Sequence, residues 1–209
     1  MLDEATVRHL LEPFRLHLNS FQISQLTTYL ELLLRWNKKI NLTAIRTAEE
    51  CIIRHFGESL YLGGRVELNG RLLDIGSGAG FPGLSLKIVF PDLSVTLLEP
   101  IAKKRAFLKE VARVCGMNLV EVRGERLEDF TRADSLQVYD AATARAVGHL
   151  EELISLASRC LGLGGRIFLW LSTKQAHAIG DNHGEIKKVQ AIAFPTTSQG
   201  EIWCGEKMF

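Results

Sequence analysis

The sequence has no long hydrophobic run and no excess of charge of one sign. It has 209 residues, with 25 Lys and Arg against 24 Asp and Glu, and a net charge of +1. A membrane-spanning helix needs about 20 consecutive apolar residues, and the longest candidate, residues 84–98, is interrupted by a lysine, a proline and an aspartate. The first ten residues carry several charged side chains and lack the apolar core of a secretory signal. We therefore expect a soluble, cytoplasmic protein that does not bind a membrane.

Cysteine is scarce and widely spaced. The four cysteines are Cys51, Cys115, Cys160 and Cys204, with at least 43 residues between neighbours. No CxxC pair exists, so the sequence predicts no zinc ribbon, redox motif or other metal site. We expect reduced thiols that are mostly buried as small hydrophobic groups. The balanced charge excludes a polycation, but a local basic patch can still bind an anionic partner, because binding responds to local potential.

The chain changes character near residue 70. Hydrophobic residues make up 46% of the sequence, which is typical of a globular protein, and the length fits one domain with a short appendage. Before residue 70, apolar residues recur at helical spacing and predict helices over 3–17, 22–38 and 48–61. We therefore divide the chain into a helical N-terminal extension, residues 1–65, and a main domain, residues 66–209.

After residue 70, short β-rich runs alternate with amphipathic stretches. The predicted strands cover 71–75, 94–99, 119–123, 139–144 and 166–171, and the predicted helices cover 81–90, 101–115 and 147–160, the last of them ended by glycines at 162–165. This alternation predicts an α/β fold with a mostly parallel, doubly wound sheet that has helices on both faces. Two further runs, 189–194 and 201–204, flank a turn at 195–200 and predict an antiparallel pair at one edge of the sheet.

The strongest local motif runs from Asp74 to Gly83, where an apolar strand leads into glycines at 76, 78 and 80. Such a loop after the first strand of a doubly wound sheet normally holds a nucleotide-like ligand. The spacing differs from the G-x-G-x-x-G of dinucleotide sites, although Gly78 and Gly83 leave that reading open. Asp74 could attract an ammonium group or accept a ribose hydroxyl, and Glu99, at the end of the next strand, could accept both hydroxyls of a ribose. The pattern resembles the S-adenosylmethionine site of Rossmann-like methyltransferases.

Simpler interpretations of the same residues remain open. The glycines could serve packing alone, Asp74 could cap the loop, and Glu99 could be a surface acid before Pro100.

Further segments resemble one family. They are residues 36–43 (WNKKINLT), 54–60 (RHFGESL), 74–83, 98–99 with 103–108, 126–128 and 143–147 (TARAV). Together they resemble the bacterial methyltransferases that act on N7 of a guanine in 16S ribosomal RNA, the glucose-inhibited division protein B type. The resemblance covers about residues 25–175. Two positions differ: Glu58 stands where the family usually has Asp, and residues 172–175 replace a Lys-Gly pair, which leaves the role of Lys174 open.

The resemblance implies S-adenosylmethionine as methyl donor and a guanine in the decoding-region hairpin as target. The expected cofactor contacts fall on Asp74, Gly76, Gly78, Gly80, Phe81, Glu99, Leu127, Glu128 and Arg145, with Leu127 and Glu128 at the adenine edge. Arg145 could also position the target nucleotide. The alternative for Arg145 is a salt bridge with Asp140 or Glu128.

An RNA substrate requires cations that face its phosphates. The candidates are Lys38, Lys39, Arg46, Arg54, His55, Lys103, Lys104 and Arg105, although solvated helix faces explain several of them equally well. His55 could instead fix its helix to the sheet, and Asn37 and Asn41 could build turns. Phe81 and Trp36 are candidates for stacking on a base, and Trp36 could equally be a core residue.

The chemistry implied by the resemblance needs no general base, because N7 of guanine has a free lone pair at neutral pH. We therefore assign no catalytic acid or base. The expected partner is 16S rRNA or the small ribosomal subunit, with no obligate protein partner and a monomeric chain. Alternatives are a small-molecule methyltransferase, a nicotinamide-dependent oxidoreductase, which the glycine spacing opposes, and a non-catalytic ribosome-binding protein.

Overall fold

The computed structural model describes residues 2–132, 138–195 and 200–209. The first helix, α1 (Glu4–Leu11), continues as a 3₁₀ turn to Phe14 and ends at Arg15, whose backbone is left-handed with φ 53°. It is therefore shorter than the predicted 3–17. The second helix, α2 (Ser20–Asn37), begins at a capping box in which the side chains of Asn19 and Gln22 each accept a hydrogen bond from the other residue's backbone N–H.

A single helical segment of changing pitch follows, close to the predicted 48–61. It consists of α3 (Ala48–Cys51), a π-helical stretch (Ile52–Gly57), α4 (Glu58–Leu60) and a 3₁₀ turn (Tyr61–Gly64). Gly57 lies against the ring of Phe14, and a Cβ at position 57 would overlap that ring. The close approach of these N-terminal helices therefore depends on glycine at this point.

The described residues after 70 form one eight-stranded sheet with helices between the strands. The strands are β1 (Arg71–Ile75), β2 (Ser94–Leu98), β3 (Val120–Arg123), β4 (Tyr139–Arg145), β5 (Leu161–Ser172), β6 (Asn182–His183), β7 (Ile186–Ala193) and β8 (Gly200–Lys207); the helices are α5 (Gly83–Val89), α6 (Ala102–Val114), α7 (Leu127–Phe130), α8 (Leu150–Cys160) and α9 (Thr173–Ala178). The spatial order is β3-β2-β1-β4-β5-β8-β7-β6. The first five strands are parallel, and β8, β7 and β6 are antiparallel. The predicted α/β class is confirmed.

The predicted antiparallel pair is present as β7 and β8 at one end of the sheet, where β8 pairs with β5 and the short β6 follows β7. One detail of the prediction was wrong. Helix α8 ends at Cys160 and β5 begins at once, so the glycines at 162–165 lie inside the strand, where the pairing slips between Tyr139↔Leu161 and Ala141↔Arg166. Helices α7 and α9 were not predicted. The predicted turn at 195–200 lies largely outside the described residues, since 196–199 are not described.

Side chains from alternate positions of the strands form two hydrophobic clusters. One contains Leu73 of β1 with the apolar face of α8, while the other contains Leu72 together with helices α1, α2, α5 and α6. The N-terminal extension therefore shares a core with one face of the sheet. The division of the chain at residue 65 stays a prediction.

The four cysteines are free and buried, as predicted. Within the described ranges, no helix is long and apolar enough to cross a membrane, and no group of three or more His, Cys, Asp or Glu side chains is arranged to hold a metal ion.

Candidate functional site

The glycine loop, residues 76–83, connects β1 to α5 at the carboxyl end of the sheet. Gly76 and Gly78 have φ of 69° and 57°, which favours glycine. A Cβ at either position would meet no atom closer than 3.5 Å. The space above the loop is therefore open to a ligand that approaches the backbone, and side chains at these positions would enter it.

Glu99 fastens this loop to the end of β2. Its side chain is 3% exposed; Oε2 accepts a hydrogen bond from the N–H of Gly78 at 2.9 Å and Oε1 accepts one from the N–H of Ile101 at 2.8 Å. The alternative of a surface acid is therefore wrong. The carboxylate lies at the edge of the loop, at the topological switch point where β1 separates β2 from β4.

Asp74 lies beneath the glycine loop. It has no exposed surface, and its Oδ1 accepts a hydrogen bond from the hydroxyl of Thr143 at 2.7 Å. Burial raises the pKa of Asp74 to about 6, although hydrogen bonds from Thr143 and Ser77 and from the backbone of Gly83 oppose the rise. The expectation that Asp74 offers its carboxylate to a ligand is therefore corrected, because the fully buried side chain supports the loop from below.

A cavity of about 260 Å³ opens beside the loop, between the ends of β1, β2 and β4. The predicted residues Gly76, Leu127 and Glu128 line it, the latter two at the start of α7. The cavity is also lined by residues that the sequence did not predict: Val147, Gly148, His149, Glu152, Leu153 and Leu156. They belong to the loop after β4 and the start of α8, and the carboxyl end of β4 was the signal that could have indicated them.

Phe81 is enclosed between two other rings. Its ring is stacked on Tyr29, with centroids 5.3 Å apart and planes 4° apart, and on His55, with centroids 4.7 Å apart. Trp36 is half-buried, donates its Nε1 hydrogen to Glu110 at 3.0 Å and lies edge-on to Phe107. Phe81 has no face free for a base, so this stacking candidate is corrected. Trp36 lines an open groove, and its role stays a prediction.

Arg145, at the end of β4, is held by the N-terminal extension. Its guanidinium donates to Oε2 of Glu58 at 2.6 Å, to the carbonyl oxygen of Arg54 at 2.7 Å and to the hydroxyl of Ser59 at 3.3 Å. The predicted alternative partners were wrong. Asp140 instead accepts a hydrogen bond from the backbone N–H of Arg71. The glutamate that departs from the family pattern is therefore the ion-pair partner of Arg145.

His55 lies between this ion pair and Phe81. Its Nε2 is 2.7 Å from the hydroxyl oxygen of Thr43. Burial, together with the charges of Arg145 and Arg54, lowers the pKa of His55 to about 3. The ring is therefore neutral at pH 7, and it fixes its helix to the glycine loop. The side chain of Arg54 is 53% exposed beside it.

A basic loop, residues 38–46, follows α2 and is built around Asn37. The Asn37 side chain donates to the carbonyl oxygens of Thr43 and Ile45 and accepts from the N–H groups of Leu42 and Thr43, at 2.9 to 3.2 Å. Asn37 is thus a turn-building residue. Lys38, Lys39, Asn41 and Arg46 are exposed, and Arg46 also donates to the carbonyl oxygen of Asn37.

The predicted cations of α6 divide into two kinds. Lys103 is exposed and Lys104 is partly exposed. Arg105 folds back and donates to the carbonyl oxygens of Glu99 and Pro100 at 3.0 and 2.6 Å. Arg105 therefore stabilises the end of β2, and its assignment as an RNA contact is corrected. An open groove of about 660 Å³ separates Lys103 from Lys39.

Residues 172–175, which differ from the family pattern, form the start of α9. Ser172 and Gln175 make a capping box, and Nε2 of Gln175 donates to the carbonyl oxygen of Val147 at 3.3 Å. The segment thereby contacts the loop after β4. Lys174 is exposed.

The architecture, with its glycine loop and neighbouring acid, defines a Rossmann-like methyltransferase. Solved structures share the fold. A mutant of MtNAS in complex with S-adenosylmethionine is similar over 100% of this chain and 85% of that chain, with a TM-score of 0.61 and 13% identity. Fibrillarin in its complex with Nop5p is similar over 72% of this chain and 79% of that chain, with a TM-score of 0.56 and 16% identity.

Sequence comparison gives the family. Residues 22–201 match the family model GidB, described as rRNA small subunit methyltransferase G, and the chain belongs to this family. It is 36% identical to the ribosomal RNA small subunit methyltransferase G of Staphylococcus carnosus (strain TM300), over 85% of this chain and 79% of that protein. It is 40% identical to that of Alkaliphilus metalliredigens (strain QYMF), over 71% of this chain and 64% of that protein. The chain is accordingly an S-adenosylmethionine-dependent rRNA methyltransferase.

Proposed function

We propose that this protein transfers a methyl group to N7 of a guanine in the decoding-region hairpin of 16S ribosomal RNA. The observation that carries the proposal is an open glycine loop beside a cluster of three side chains, His55, Arg145 and Glu58, that is unsuited to removing a proton. Burial lowers the pKa of His55 to about 3, which makes its ring a weak base, and Arg145 and Glu58 are paired with each other. A nucleophile with its own lone pair, such as N7, suits this cluster because no proton has to be removed before attack.

The residues fit the cofactor because the backbone of the glycine loop has room for it. S-adenosylmethionine, when bound, supplies an electrophilic methyl group. Gly76 and Gly78 form the cradle, since a Cβ at either position would face open space, and Leu127 and Glu128 line the cavity where the adenine edge would bind. Glu99 holds this loop through the N–H of Gly78, and Gly80 packs against Tyr29 on its other side. Asp74 and Phe81 support the loop from below and from the side. The contribution of the protein is then alignment of the two reactants, which is a large part of catalysis for such a transfer.

The RNA is proposed to lie across the basic loop and the beginning of α6. Lys38, Lys39 and Lys103 are exposed. Lys39 and Lys103 line one open groove, and Lys38 lines a second depression that shares Arg35 with it. Arg54 lies nearer the cluster, 3.8 Å from Glu58, and is placed to contact a phosphate close to the target guanine. Such contacts position RNA without reading its sequence.

We further propose that the enzyme acts in the cytoplasm as a monomer, without an obligate protein partner. Its substrate is either naked 16S rRNA or the assembled small subunit. Parallel assays on the two substrates decide between them.

The test is methyl transfer from isotopically labelled S-adenosylmethionine to small-subunit RNA that lacks its native modifications. The product nucleoside is identified by mass, and label in 7-methylguanosine is the expected result. Label at another atom, or no transfer to RNA or subunits by protein that binds the cofactor, would overturn the proposal.

A further inference from the structure

Tyr29, in the middle of α2, connects the N-terminal extension to the glycine loop through three contacts. The side chain has no exposed surface, and its hydroxyl donates a short hydrogen bond to the carbonyl oxygen of Ala79. Its ring is stacked in parallel on Phe81 and lies edge-on to Phe56 at 5.0 Å. Burial raises the pKa of Tyr29 well above its usual value, so the hydroxyl keeps its proton and remains a donor.

Gly80, the residue between these two contacts, packs against the side chain of Tyr29. Gly80 has φ 89°, and a Cβ there would overlap the hydroxyl of Tyr29 and lie 2.9 Å from Leu84. Tyr29 therefore touches three successive residues of the loop: a carbonyl at 79, a bare Cα at 80 and a ring at 81. Glu99 holds the same loop one residue earlier, at the N–H of Gly78.

From this geometry we infer that Tyr29 is a positioning residue for S-adenosylmethionine, acting through the backbone of residues 79–81. The inference rests on the proposed assignment of the glycine loop as the cofactor cradle. Glu99 holds the peptide group between residues 77 and 78, and Tyr29 holds the peptide group between residues 79 and 80. Loss of the Tyr29 hydroxyl frees the carbonyl of Ala79, and the cradle then samples orientations that bind the cofactor poorly, which reduces affinity.

The first experiment compares Tyr29→Phe with Tyr139→Phe. Tyr139 is a matched control because it is 1% exposed, its hydroxyl donates to Oγ1 of Thr96 at 3.1 Å, and it belongs to the hydrophobic cluster on the other face of the sheet. Calorimetry gives the Kd for S-adenosylmethionine and its demethylated product, and thermal unfolding without ligand gives Tm. We expect Tyr29→Phe to weaken binding about five- to tenfold, the size of one lost hydrogen bond. Tyr139→Phe should lower Tm and leave both Kd values within about twofold.

Steady-state kinetics separates positioning from general destabilisation. In Tyr29→Phe, the KM for S-adenosylmethionine should rise with the Kd, while kcat at saturating cofactor and the KM for RNA stay close to wild type. A Kd within twofold of wild type in this variant would overturn the inference.

A double-mutant cycle provides a second measurement. Gly80→Ala should weaken cofactor binding less in the Tyr29→Phe background than in wild type, because the overlap with the hydroxyl is gone. Equal losses in both backgrounds would count against the role of the hydroxyl. The Gly78→Asp variant separates failure of the proposed cofactor site from failure of the inference about Tyr29. Normal cofactor binding by Gly78→Asp would show that the glycine loop is not the cofactor site. If Gly78→Asp loses cofactor binding but Tyr29→Phe binds the cofactor as tightly as wild type, only the inference about Tyr29 fails.

Discussion

A substitution at Gly78 can test ligand binding without disturbing the packing of the protein, because a side chain there would overlap no protein atom. A Cβ at this position would have its nearest neighbour at 3.8 Å, the carbonyl oxygen of Gly76. We expect Gly78→Asp to fold and to abolish cofactor binding, since its carboxylate would occupy the cradle beside Glu99. Calorimetry and thermal unfolding check this prediction. Gly184→Asp is the matched control, because Gly184 also has a left-handed backbone (φ 61°) and open space. Unchanged affinity in Gly78→Asp would move the cofactor site elsewhere.

The buried carboxyl of Asp74 predicts a pH dependence of stability. Its pKa in the folded protein is raised to about 6 from 3.8, so the folded state favours the protonated form. The contribution of Asp74 is therefore fully present below pH 3.8 and is lost as the pH rises through 6. Relative to Asp74→Asn, the wild-type protein should lose on the order of 2–3 kcal/mol of stability between pH 4 and pH 7. Urea unfolding at several pH values tests this, and a constant difference between the two proteins would contradict it.

At the scale of single residues, the sequence predicted three residues that line the cavity, Gly76, Leu127 and Glu128, but not what the other predicted side chains contact. The spacing of the glycines and the acid at 99 were sufficient to locate the loop. Phe81 was expected to face a ligand, yet Tyr29 and His55, which cover its two faces, are 52 and 26 residues away along the chain. A stacked arrangement of this kind arises from tertiary packing, which no local pattern encodes.

Among the elements, the basic loop carries the clearest prediction about RNA. Lys38→Glu combined with Lys39→Glu should weaken RNA binding about tenfold or more and reduce the slope of log affinity against log salt by about one to two, because phosphate contacts release counterions. Cofactor affinity should not change. Filter binding over a range of salt concentrations provides the measurement.

A control for net charge lies on β7, where Lys187 and Lys188 form a second lysine pair, three strands away from β4 in the sheet. Lys187 is exposed, and Lys188 is partly exposed and 3.4 Å from Asp181, so thermal unfolding is measured on this variant as well. Reversing both charges there makes the same change in net charge. Equal losses for the two double variants would show that net charge, and not the basic loop, determines RNA binding.

The elements themselves were partly predictable. Strands β1 to β4 are short apolar runs bounded by clear turn residues, and they were found within one residue at each end. The start of β5 was missed because glycines at 162–165 normally end an element, and here they accommodate a slip in register. The antiparallel pair β7–β8 was predicted, but the sequence did not indicate which of its strands pairs with β5, because an apolar run does not specify its neighbour.

For the whole molecule, the N-terminal extension behaves as part of the core. Phe14, Leu26 and Leu33 belong to the same buried cluster as Leu72 and Phe107. A chain that lacks residues 1–65 would expose this face of the sheet, so we expect it to lose cooperative thermal unfolding and near-ultraviolet circular dichroism. A cooperative transition in the truncated chain would show that the main domain folds alone.

Because all four cysteines are buried, the rate at which each thiol is alkylated reports the unfolding of the region around it. Burial raises the thiol pKa to about 11 for Cys51, Cys115 and Cys160 and to about 12 for Cys204. Thiolate, the reactive form, is therefore rare at neutral pH while the chain is folded. Cys160 belongs to the cluster beside α8, and the other three belong to the cluster beneath the N-terminal extension. Alkylation followed by peptide mass mapping would thus time the opening of each face of the sheet separately, without any engineered cysteine.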